Sequence, residues 1–108
     1  MNQEMKELLQ IETKIIAILR EVYDPEIPVN VYDLGLIYDI LVSDDRSVLI
    51  KMTLTAPNCP IADDIVLQVK EAAASVPEVA DVKVELVFDP PWSQDMIGEE
   101  AKLELGLL

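Results

Sequence analysis

The 108 residues hold 21 acids against 8 bases, a formal net charge of −13, with one cysteine and no histidine. That balance argues against a nucleic-acid or anionic-membrane surface, which needs clustered lysine and arginine to neutralise phosphates; here the bases are scattered singly from Lys6 to Lys102. It also excludes an internal disulfide, a Ser–His or Cys–His triad, and a zinc site built from Cys and His within one chain.

The length fits a single domain over residues 1–108 that folds without staples. Apolar residues make up 51% and aromatics only 5%, so the core must be mostly Ile, Leu, Val and Ala. No run approaches the ~18–20 uninterrupted apolar residues of a membrane span. The first residues lack the basic-then-apolar pattern of a secretory signal, and the expected compartment is the cytoplasm.

In chain order, Leu8, Ile11, Ile15, Ile18 and Val22 step by three or four and give one face of a first helix. Asp24-Pro25 should end it, because proline disfavours helical geometry at the residue before it. A loop over residues 24–35 follows, containing Pro25, Pro28, Asn30 and Gly35. Residues 36–43 predict a strand, Asp44-Asp45-Arg46 a turn, and residues 47–55 a second strand on the alternation Val48, Ile50, Met52, Leu54. Two such runs around a short polar turn predict an antiparallel hairpin.

Pro60 fits the first position of a second helix, whose stripe is Ile61, Ile65, Val69, Ala72 and Val76 before Pro77-Glu78 breaks it. Residues 81–89 predict a third strand on Val82, Val84, Leu86 and Phe88, and residues 93–108 a short helix or tail. The order α-β-β-α-β-α is an α+β fold, a three-stranded mixed sheet packed against helices. Its second and third strands should run parallel through the helical crossover. The two sheet edges leave room for a partner or for a homodimer.

Three stretches hold candidate chemistry. In Thr55-Ala56-Pro57-Asn58-Cys59-Pro60, Cys59 falls at the N-cap of the second helix. Unpaired N–H groups and the helix dipole there favour a thiolate. Asp63 and Asp64, one turn on, oppose it, and a small buried apolar residue is the plain alternative. In the stretch from Asp24-Pro25-Glu26 to Asp33-Leu34-Gly35, three carboxylates sit on a proline-stiffened backbone. They read as hard-metal ligands or acid–base groups, or more simply as a cap and solvent-facing residues of a rigid turn. Pro28 and Gly35 read as architectural. In Asp89-Pro90-Pro91-Trp92 the indole is either an exposed anchor or, the preferred reading, a cover for the end of the sheet.

Taken together, the run from Asp24 to Tyr38, the turn from Thr55 to Pro60 and Asp89-Pro90-Pro91-Trp92 resemble the SufT-like metal–sulfur cluster biosynthesis family. That family is the domain shared by SufT, the eukaryotic cytosolic cluster-targeting adaptor and the PaaD-like proteins. The resemblance implies a non-enzymatic factor that matures or delivers iron–sulfur clusters. Its partners would be apoproteins or assembly-scaffold proteins. On matching positions Cys59 would be the functional cysteine and a possible ligand of a transient iron–sulfur cluster. Asp24, Pro25 and Glu26 would be the acidic turn, with Asp33 and Pro57 in the supporting motif and Thr55 the threonine before the cysteine loop. A PaaD-like maturation subunit is the nearer alternative, although the extra C-terminal cysteine region of that branch is lacking. A small thiol-dependent enzyme using Cys59 is the more distant one.

Overall fold

A computed structural model describes residues 3–23, 28–55 and 62–107. Its elements are α1 (Gln3–Leu19), β1 (Ile37–Val42), β2 (Ser47–Met52), α2 (Ala62–Ala74), β3 (Asp81–Leu86), a 3-10 turn (Gln94–Met96) and α3 (Glu99–Glu104). The expected α+β order is present. The sheet order is β1-β2-β3, with β1 antiparallel to β2 and β2 parallel to β3.

The period of two in β2 decides which face is covered. Val48, Ile50 and Met52 are buried, while Ser47, Leu49 and Lys51 between them are half exposed. Against that buried face lie Ile11, Ile15 and Leu19 of α1 and Ile65, Val69 and Ala73 of α2. Each fully buried side chain of this size contributes about 1.5–3 kcal/mol through apolar area removed from water. The α1 stripe is shifted from the expected one: Leu19 is buried and Ile18 only partly so, because the step from Ile15 to the next core position is four residues. In α2, Ala73 takes the place expected of Ala72, and Ile61 lies outside the described residues.

The hairpin turns where the acidic run predicts. Arg46 adopts a left-handed backbone (φ 69°), and its guanidinium donates to the Asp44 carbonyl at 3.2 Å and to the Glu7 carboxylate at 2.7 Å. Asp45 accepts from the Ser47 backbone N–H at 3.0 Å. Hydrogen bonding from the Ser47 side chain and backbone holds its carboxyl below the ordinary value.

Several strand and helix ends differ from expectation, among them that of α1, which stops at Leu19 rather than at Asp24-Pro25. β2 ends at Met52 and β3 at Leu86, each three residues early. α2 stops at Ala74, ahead of Pro77. There the Ser75 hydroxyl donates to the Ala72 carbonyl at 2.6 Å, competing with the helical ladder.

Beyond β3 the chain folds back across the start of β1. The indole N–H of Trp92 donates to the Leu34 carbonyl at 2.7 Å, and the Gly98 N–H to the Asp33 carbonyl at 2.9 Å. The register between β1 and β2 shifts around Tyr38, a bulge that re-aims its side chain. The Tyr38 hydroxyl donates to the Pro90 carbonyl at 2.7 Å. Ile97 and Ala101 of this tail are buried with the rest of the core.

Candidate functional site

The sequence places the expected functional thiol, Cys59, seven residues beyond the end of β2. The end of β2 is held from both sides: the Thr53 N–H donates to the Leu36 carbonyl and the Val87 N–H to the Met52 carbonyl, each at 2.8 Å. Thr55, half-buried, therefore leaves a rigid base. It lines a cavity of about 140 Å³ with Thr53, Leu54, Phe88, Pro91 and Trp92. The expected Thr55 and the expected cover Trp92 are thus brought to one place. Cys59, Pro57, Asp24, Pro25 and Glu26 lie outside the described residues.

Thr53 was not singled out by the sequence, yet it is fully buried and its Oγ1 has no hydrogen-bond partner among the described residues. The signal that hides it is strand alternation. Buried Val48, Ile50 and Met52 place residue 53 on the opposite, open face, and the segment carrying Phe88, Pro91 and Trp92 meets that face only at this end. A buried hydroxyl without a partner forfeits its hydration, at about 1–3 kcal/mol. Thr53→Val, which keeps the branched shape, should therefore raise unfolding stability by about 1 kcal/mol. A lowered urea midpoint would show instead that the hydroxyl is bonded in solution.

Asp33 sits in a different environment. Its backbone N–H donates to Asn30 Oδ1 at 2.8 Å and its carboxylate accepts from Asn30 Nδ2 at 2.9 Å. The other carboxylate oxygen lies 3.6 Å from Arg20 Nε, and the Arg20 guanidinium stacks 5.2 Å from the Tyr32 ring centre. The side chain thus ties the loop between α1 and β1 to Arg20, just past the end of α1. Among the described residues, no group of three or more His, Cys, Asp or Glu is placed to hold a metal ion. No helix among them is long and apolar enough to cross a membrane.

Comparison with known proteins gives one consistent answer. The family model "Iron-sulfur cluster assembly protein" matches residues 12–86, a span that takes in α1 from its middle, residues 24–26, Cys59 and all three strands. A protein of Porphyromonas gingivalis named Fe-S protein maturation auxiliary factor is 58% identical over 102 residues, covering 94% of this chain and 97% of its own. The Fe-S protein maturation auxiliary factor SufT of Staphylococcus aureus is 41% identical over 86 residues, 80% of this chain and 98% of its own. The crystal structure of a domain of unknown function from Bacillus anthracis superposes with a TM-score of 0.88 at 37% identity, covering 96% of this chain and 99% of that one.

Proposed function

The chain belongs to the iron–sulfur cluster assembly protein family, and from that premise we propose a cytoplasmic, non-enzymatic maturation factor that brings iron–sulfur clusters to apoproteins. The observation that carries this reading is the extent of the likeness, 58% identity over 94% of the chain to a maturation auxiliary factor. Cys59 is its point of contact with the cluster, and the cluster is cargo.

The donor set limits how that cargo is held. An iron–sulfur cluster ordinarily takes about four thiolate or comparable ligands. One chain supplies one cysteine and no histidine. A cluster at Cys59 is therefore shared with another chain or with outside thiols, or it is met while a scaffold protein still holds it. Both arrangements describe a transfer adaptor rather than a storage site. The partners are then apoproteins and assembly scaffolds, recognised by protein contacts.

Anaerobic reconstitution with iron and sulfide tests the reading, comparing wild type with Cys59→Ser by visible absorbance and iron content. Charge-transfer bands in the wild type that vanish in the variant make the chain a labile carrier with Cys59 as ligand. Absence of bands in both leaves the adaptor role. There Cys59→Ser should still fold, as judged by circular dichroism, while cluster occupancy of a cluster-requiring client protein falls when the variant replaces wild type. Full client occupancy with Cys59→Ser would remove the assigned role of Cys59.

A further inference from the structure

Strand β3 ends the sheet, and among the described residues its outer side is unpaired. Hydrogen bonds within the sheet decide which backbone groups it offers. The Thr53 N–H and Ser47 C=O of β2 point to the β1 side, bonding Leu36 and Ser43, while the Met52 C=O points to β3 and receives the Val87 N–H. By the alternation of strand backbone, Lys83, Glu85 and Val87 turn their N–H and C=O groups toward β2, and Val82, Val84 and Leu86 turn theirs outward. The tail does not stand over this edge: after Phe88 it crosses toward β1, where Trp92 bonds Leu34 and Gly98 bonds Asp33.

The side chains on this strand are complementary to a second copy of themselves. The geometry points to a homodimer in which β3 pairs antiparallel with the β3 of a second copy, the two-fold axis passing at Val84. Val84 then faces its counterpart and Val82 faces Leu86, all through the outward backbone groups, making hydrogen-bonded pairs. Lys83 falls opposite Glu85 of the second copy, and Glu85 opposite Lys83. These are non-hydrogen-bonded positions, where opposed Cα atoms are only about 4.5 Å apart and side chains meet best.

A two-fold moved by one residue either way sets Lys83 against Lys83 or Glu85 against Glu85, so charge selects this register. A single lysine on an edge strand ordinarily blocks pairing; here Glu85, two residues on, supplies its counter-charge. The pairing also accounts for an apolar excess at the edge. Leu86 is 38% exposed although it follows Val82 and Val84 on the helix-covered face, and a second copy's Val82 would lie beside it. The result is one continuous six-stranded sheet. The pairing stands apart from the maturation reading and holds whether or not a cluster binds.

The test is sedimentation equilibrium of the full chain under reducing conditions at low salt, over a wide concentration series, with amide hydrogen exchange on the same samples. Wild type should show a reversible monomer–dimer equilibrium, and the Val82, Val84 and Leu86 amides should exchange more slowly as concentration rises. Lys83→Glu should raise the dimer dissociation constant by about tenfold, since the symmetry turns two attractive contacts into two repulsive ones. Glu85→Lys should do the same, and the double variant Lys83→Glu with Glu85→Lys should return close to wild type. Either a wild-type chain that stays monomeric throughout or a dimer indifferent to both single changes overturns the proposal. The first of these would leave the edge to an extended segment of another protein.

Discussion

Gly35→Val should destabilise the domain by about 3 kcal/mol or more, lowering the melting temperature by roughly 12 °C or more for a chain of this size. Two independent causes act at this position. Gly35 has φ +79°, a left-handed conformation that a β-branched residue adopts at a cost of about 1–2 kcal/mol. In addition, a Cβ placed there would lie 2.3 Å from the Met96 carbonyl oxygen and 2.9 Å from its carbonyl carbon. Backbone, unlike a flexible side-chain tip, cannot swing aside, so the tail must lift and withdraw Ile97 from the core.

Gly35→Ala keeps both the left-handed strain and the collision and relieves only the β-branched crowding. It should cost less than valine and still loosen the tail, seen as faster proteolysis after residue 92. A melting temperature equal to wild type for both variants would mean that the tail is not seated on Gly35 in solution.

Removing the Trp92 side chain should have the next largest effect on stability. The indole is half-buried, walls the cavity beside Thr53 and Thr55, and donates to the Leu34 carbonyl. Trp92→Ala loses both the packing and the hydrogen bond. Core aromatic truncations cost about 3–5 kcal/mol, and partial burial places this one near the lower end. Trp92→Phe keeps most of the apolar area and gives up only the hydrogen bond, so about 1 kcal/mol is expected. Denaturant midpoints of the two variants measure the split. Equal losses for Phe and Ala would assign the whole effect to the hydrogen bond, and no loss for either would make Trp92 a surface anchor rather than a cover.

Much of the fold was legible because its signals are local. The alternation Val48, Ile50, Met52 and the three-to-four spacing of Ile11 and Ile15 report which side of an element is covered, and the covered sides are those expected. What escaped depends on residues far apart in the chain. The Tyr38 hydroxyl, at the bulge, bonds the Pro90 carbonyl 52 positions away. The burial of Thr53 follows from a segment that arrives after the third strand. Gly35 was readable as a backbone requirement, but its contact with Met96 was not.

The candidate site was legible in the same uneven way. Thr55 and Trp92 carry motif signals and meet at one cavity, whereas Thr53 carries none because alternation assigns it to the open face. Asp33 reads in sequence as one more carboxylate, and only its geometry with Asn30 and Arg20 gives it a place in the loop.

The match to the family model ends at Leu86, the last residue of β3, but the fold's internal seams run further along the chain. Severing the polypeptide there would strip a donor from the Leu34 carbonyl, another from the Asp33 carbonyl, and the acceptor from the Tyr38 hydroxyl. It would also vacate the berths of Ile97 and Ala101. For anyone grafting this module onto another protein, the portable unit therefore reaches at least through α3, and a fusion joint belongs beyond Glu104.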